Sequence, residues 1–123
     1  MNFYLFILLS VFTLNAHADD AKCLQSIDQL IDTGRACGGT VFKSNDQKVV
    51  AENDRKIQDA RSTVTKQCGK IRPSMRKLLN TSLTAGATET ANHDEAIKLK
   101  YEQKITEAKA LVLKDYHLVP PGK

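Results

Sequence analysis

The stretch CLQSIDQLIDTGRACGG, residues 23–39, predicts that the chain is helical. Its apolar residues recur at spacings of three and four, which places them on one face of a helix. The residues of this face are Leu24, Ile27, Leu30 and Ile31. Two acidic residues come just before the stretch, where negative charge favours a helix start, and Gly38-Gly39 is typical of a helix end. The sequence therefore predicts a first helix from Asp19 to about Ala36.

The segment before this helix has the features of an export signal. Residues 3–14 are nearly all apolar and carry no charge, and the small-residue pattern Ala16-His17-Ala18 follows them. This pattern is typical of a cleaved secretory signal peptide. The apolar run is too short for a membrane span, which needs roughly 20 apolar residues. We therefore expect residues 1–18 to be a signal peptide and the protein to be exported, either periplasmic or secreted. An uncleaved membrane anchor is the alternative, because no Lys or Arg precedes the apolar run.

A second helix is predicted over residues 46–67. Ser44 and Gln47 have the spacing of a capping box, and Thr40–Asn45 is expected to be the connection between the two helices. The apolar stripe of this helix is narrow, and Asn53 occupies one of the positions facing the neighbouring helix.

Two more helices are predicted further along. Pro73 is well placed to open a short third helix that ends near Thr84, and the small polar residues 84–92 are expected to form a flexible loop. A fourth helix is expected from about His93, capped by Asn92.

No segment shows the alternation of a β-strand, so the predicted fold class is all-α. We expect a small up-down bundle of about four helices, stapled by a disulfide, after cleavage of the signal peptide. Residues 19–118 are predicted to form a single helical domain, followed by a flexible tail at 119–123.

The three cysteines of the chain are Cys23, Cys37 and Cys68. In an oxidising compartment two are expected to pair. Cys23 and Cys37 bracket the first predicted helix and would lie about 21 Å apart, whereas a disulfide needs Cα atoms within roughly 7 Å. This pairing is therefore excluded unless the first helix breaks early, for example at Gly34. In an antiparallel hairpin the start of the first helix faces the end of the second, which favours Cys23–Cys68 and leaves Cys37 as a free thiol. Pairing of Cys37 with Cys68 is the alternative, and it requires residues 40–45 to run back along the first helix.

The sequence offers no catalytic or metal-binding constellation. Cys37 lies near a predicted helix C-terminus, where the dipole disfavours a thiolate, and His93 and His117 lie at opposite ends of the fourth helix. The part after the signal has no Trp and few aromatic residues, which disfavours nucleic-acid stacking. We therefore expect no enzymatic activity, no metal, no cofactor and no nucleic-acid partner.

A basic cluster lies near the middle of the chain, in residues 66–77, and this segment contains no acidic residue. Its members are Lys66, Lys70, Arg72, Arg76 and Lys77. Such a cluster indicates an anion-recognition surface or an ordinary solvated helix junction. Together with export, this predicts a non-enzymatic protein that binds another macromolecule, such as a periplasmic inhibitor, immunity or accessory protein. The alternative is an envelope-associated structural or stress protein that contacts anionic lipid or glycan through this basic face.

Overall fold

The computed structural model describes residues 2–43 and 45–118, with side chains from residue 20 onward except those of residues 42 and 43. Four helices account for most of this part of the chain: α1 (Asn2–Lys43), α2 (Gln47–Cys68), α3 (Pro73–Ala91) and α4 (Glu95–Asp115). No strand occurs within the described ranges. The all-α prediction is therefore confirmed. The predicted capping residue Ser44 and the predicted tail at 119–123 lie outside the described residues.

Helix α1 is longer than predicted at both ends. It begins at Asn2 instead of Asp19, so the segment expected to be a signal peptide belongs to the same helix. It also continues through Gly38-Gly39 to Lys43, and the prediction that these glycines end the helix is wrong. Across the residues described, none of the helices combines the length and apolar character that crossing a bilayer requires.

The starts of α2 and α4 are fixed by aspartate caps. The Asp46 carboxylate accepts a hydrogen bond from the Lys48 backbone N–H at 2.9 Å, and Asp94 accepts one from Ala96 in the same way. The predicted bounds of α2 are correct to within one residue. The predicted cap of α4 is wrong, because Asn92 follows the last residue of α3 and its N–H donates to the Thr88 carbonyl.

Helix α3 extends through the segment that was predicted to be a flexible loop. Small residues in this segment are buried: Ala85 is inaccessible to solvent, and Gly86 lies against the Arg35 backbone of α1. Burial of backbone and small side chains stabilises the helical conformation here, although the local composition favours a loop.

Helices α1 and α3 form the centre of the bundle. Helix α1 packs against α2 and α3, and α3 also packs against α4. Gly34 lies beside Ser82 and Gly39 beside Thr90, so positions along the two helices increase together and the helices are parallel. The short connections make α2 and α4 run antiparallel to the helices that precede them, which gives an up-down order with α2 and α4 on the outside.

The backbones of α1 and α3 approach each other closely because glycines lie at their contact. An ideal Cβ placed on Gly38 would lie 2.1 Å from the Leu83 carbonyl oxygen, and one placed on Gly86 would lie 1.9 Å from the Arg35 carbonyl oxygen. Only glycine fits at these two positions. This contact is the physical reason why the glycines of α1 lie inside the helix and do not end it.

The disulfide joins Cys23, which lies midway along α1, to Cys68, the last residue of α2, with Cα atoms 4.9 Å apart. The predicted pairing is confirmed, and Cys37 is a free, buried thiol. The bond spans 45 positions of sequence, for which loop-closure entropy gives about 4 kcal/mol of stabilisation. The core beside it is built from Ile27, Leu30, Val64, Met75, Leu78 and Val112, all nearly inaccessible to solvent.

Candidate functional site

The predicted basic cluster lies where α2 connects to α3. Lys66 is in the last turn of α2, Lys70 and Arg72 are in the connection, and Arg76 and Lys77 are near the start of α3. All five side chains belong to exposed residues. None of them takes part in an ion pair with another described residue.

Arg72 differs from the other four because it is held by α4. The Arg72 backbone N–H donates to the Tyr116 hydroxyl at 2.7 Å, and that hydroxyl donates to the Lys70 carbonyl at 2.9 Å. The Arg72 guanidinium donates to the Asp115 carbonyl at 2.9 Å and lies 5.4 Å from the Tyr116 ring centre. These contacts fasten the α2–α3 connection to the end of α4, so Arg72 has a structural role that its place in a basic run did not reveal.

Arg76 and Lys77 line a groove between α3 and α4, and a third cation from a distant part of the sequence joins them. The groove has a volume of about 440 Å³. Lys104 contributes from α4, and its ammonium lies 5.0 Å from the centre of the Tyr101 ring. We call this site the basic groove, defined by Arg76, Lys77, Tyr101 and Lys104.

Sequence reasoning missed Lys104 because it is far from the basic cluster along the chain. A signal was nevertheless present. The α4 apolar face that contains Tyr101 and Ile105 places Lys104 at its edge, and an antiparallel α3–α4 pair brings that edge toward the middle of α3.

Two further depressions continue from the basic groove. One shares Lys77 and Lys104 with it and passes on to Glu107 and Leu111, with a volume of about 380 Å³. The other shares Thr84 with it and has a volume of about 450 Å³. The remaining residues of the second depression are all apolar or lack a side chain: Gly38, Val41, Leu83 and Ala87.

Cys37 lies in a separate groove of about 500 Å³ between α1 and α2. The Cys37 thiol donates to the Asn53 carbonyl over 3.8 Å, and both residues are buried. Burial raises the pKa of the Cys37 thiol. The nearby positive charge of Lys56 lowers this pKa and the negative charge of Asp54 raises it, and the net direction is upward. A buried thiol with a raised pKa is a poor nucleophile at neutral pH.

The position of Asn53 facing the neighbouring helix is as predicted, with only 4% of the residue exposed. Its side-chain Nδ2 has no hydrogen-bond partner among the described residues. The two histidines, His93 and His117, are exposed and flank opposite ends of α4, as the sequence indicated. Within the described part of the chain, no group of three or more His, Cys, Asp or Glu side chains is arranged to hold a metal ion.

Comparison of the chain with protein families, curated proteins and solved structures gave no match.

Proposed function

We propose that this is an exported, non-enzymatic helical protein that binds an acidic surface of a protein partner through the basic groove. The observation that carries the proposal is the convergence of Arg76, Lys77 and Lys104 on one groove, with no ion pair to another described residue. Charges that are not neutralised within their own molecule favour and accelerate association with a partner of opposite sign.

The fold supports a binding role because it presents these cations on a firm base. The start of α3 is fixed by the Tyr116 contacts with the α2–α3 connection, and the disulfide Cys23–Cys68 fixes the end of α2. Side chains on such a base lose less conformational entropy on binding than they would on a loose loop. A stable disulfide also suits an oxidising compartment, in agreement with the predicted export.

The roles that fit these features are a periplasmic inhibitor, an immunity protein or an accessory protein. Each acts by covering part of a partner, which needs a complementary surface and no reacting groups. The buried, protonated state favoured for Cys37 supports a role without a thiol nucleophile.

The second candidate is contact with anionic lipid or glycan of the cell envelope. It is favoured by Lys66 and Lys70, which extend the cationic surface beyond the basic groove toward α2. An extended, flat distribution of charge suits a lipid surface, whereas a groove of about 440 Å³ suits side chains of a protein.

The test compares two triple charge reversals of equal net charge. The groove variant carries Arg76→Glu, Lys77→Glu and Lys104→Glu. The control carries Lys22→Glu, Lys48→Glu and Arg55→Glu, which are exposed positions on α1 and α2. Both are used as oxidised protein to capture partners from periplasmic extract, and affinity for the recovered partner is measured by titration.

We expect the original protein and the control to retain one acidic partner in stoichiometric amount, and the groove variant to bind it at least tenfold more weakly. Equal losses in both variants, or no partner at all, would reject the proposal. The second candidate would instead be supported if the original protein pellets with vesicles that contain anionic lipid, and if salt and the groove substitutions both steeply reduce this pelleting.

A further inference from the structure

We propose that the partner segment is bipartite, with carboxylates that occupy the basic groove and an apolar side chain that anchors in the depression formed by Gly38, Val41, Leu83 and Ala87. This inference rests on the proposed function, because it assigns the chemistry of the segment that the same surface binds. We call this depression the apolar depression.

The two sites are continuous along the outer face of α3. Thr84 lines both the basic groove and the apolar depression. Arg76 and Ala87 are eleven positions apart, so the surface extends about 16 Å along the helix axis. An extended segment of about five residues covers this length at roughly 3.3 Å per residue.

The apolar depression is open to solvent and has room for an apolar side chain. Gly38 has no side chain, and Leu83 packs on the core, so the depression lies against the α1–α3 contact. Val41 also lines the depression and is 45% exposed. An apolar side chain placed here would cover Val41 and remove apolar surface from water.

The charges around the groove determine which end of the segment lies where. The neighbouring depression that shares Lys77 and Lys104 also contains Glu107, so it attracts carboxylates less strongly than the basic groove does. None of the described residues that line the apolar depression is charged. An acidic run is therefore best placed over Arg76 and Lys77, with its apolar anchor directed toward Val41.

Charge alone would give weak, salt-sensitive binding, since exposed ion pairs contribute little each. The apolar anchor supplies an attraction that salt does not screen, and it selects among acidic segments by the position of one side chain. The bipartite surface thus accounts for both steering and selectivity at one site.

The experiment uses two fluorescent peptides with the oxidised protein. The full probe has four Glu residues, a three-residue Gly-Ser spacer and two Leu residues, and the acidic probe replaces both Leu residues by Ser. Affinities are measured by anisotropy for the original protein, for Val41→Asn, and for Leu99→Asn, a control at a 62% exposed leucine outside both sites. Thermal unfolding verifies that each variant is folded.

We expect the full probe to bind the original protein at least tenfold more tightly than the acidic probe. Val41→Asn should abolish this difference, and Leu99→Asn should keep it. Equal binding of the two probes, or equal effects of the two variants, would overturn the bipartite inference. The proposed function has its own readout: the acidic probe should bind the Arg76→Glu and Lys77→Glu variants more weakly than the original protein. If neither probe binds the original protein, both proposals fail.

Discussion

Replacing Gly86 by alanine tests the close contact between α1 and α3. The new Cβ would lie 1.9 Å from the Arg35 carbonyl oxygen, whereas ordinary contacts of a Cβ begin at about 3.4 Å. The opposing atom belongs to the backbone, so no side-chain rotation can relieve the overlap. The helices must separate by more than 1 Å, and this separation loosens the core packed between them.

The expected magnitude follows from two opposing terms. Gly→Ala inside a helix normally stabilises by about 1 kcal/mol. Overpacking of a well-filled contact typically costs about 1–3 kcal/mol, and we take about 3–5 kcal/mol here because two backbones must move apart. We expect the overlap to dominate and to lower the free energy of unfolding by about 2–4 kcal/mol, a large part of the 5–15 kcal/mol typical of small domains. The corresponding fall in Tm is roughly 10–20 °C.

The assay is thermal and urea unfolding followed by circular dichroism, with the disulfide intact. Gly38→Ala should behave like Gly86→Ala, and Gly34→Ala should cost less, because its nearest neighbour is the Ser82 side chain at 2.8 Å. Gly69→Ala is the control: no described neighbour lies within 4 Å of its Cβ position, but its backbone (φ 97°, ψ −165°) is in a region that essentially only glycine adopts, so the change costs about 1–3 kcal/mol through backbone strain alone. A Gly86→Ala protein at least as stable as the original would refute the close approach of the two backbones.

Three further predictions follow from other contacts. Reduction of the disulfide should lower the free energy of unfolding by about 4 kcal/mol; an unchanged Tm with reductant would contradict this. Tyr116→Phe removes the hydroxyl that joins Arg72 to Lys70 and should cost about 1–2 kcal/mol in urea unfolding, with Tyr101→Phe as a nearly neutral control. Burial raises the pKa of the Cys37 thiol in the folded protein above its ordinary value of 9.0. The contribution of the protonated thiol to the free energy of unfolding is therefore fully present below pH 9 and is lost as the pH rises through the folded pKa. Iodoacetamide labelling of the native protein should therefore be slow at pH 8 and have a higher pH midpoint than in urea; equal midpoints would disprove the shift.

The sequence predicted correctly those elements whose bounds depend on neighbouring residues in the chain and are not altered by packing against other helices. The bounds of α2 and the pairing of Cys23 with Cys68 followed from helical periodicity and the geometry of an antiparallel hairpin. The extensions of α1 and α3 could not be predicted in this way. Glycine at a helix end and glycine at a close helix contact look alike in one sequence, and only the neighbouring backbone at Gly38 and Gly86 distinguishes them.

The candidate site was predictable to a similar extent. Arg76 and Lys77 were evident as part of a charged run, but a run of charge does not show which members are already engaged within the fold. Arg72 is engaged with Tyr116, and Lys104 joins the groove from another helix. Both facts depend on which helices are neighbours, which the spacing of residues along the chain does not specify.

The disulfide has a consequence for the order in which the bundle assembles. Gly38 and Leu83 meet although they are 45 positions apart along the chain, and closing so long a segment is entropically costly. Once Cys23 is bonded to Cys68, the covalent path from Gly38 to Leu83 through the disulfide is about 30 residues instead of 45, with 15 residues on each side of the bond. Oxidation thus shortens the segment that must close, and the docking of α3 on α1 should be faster in oxidised than in reduced protein.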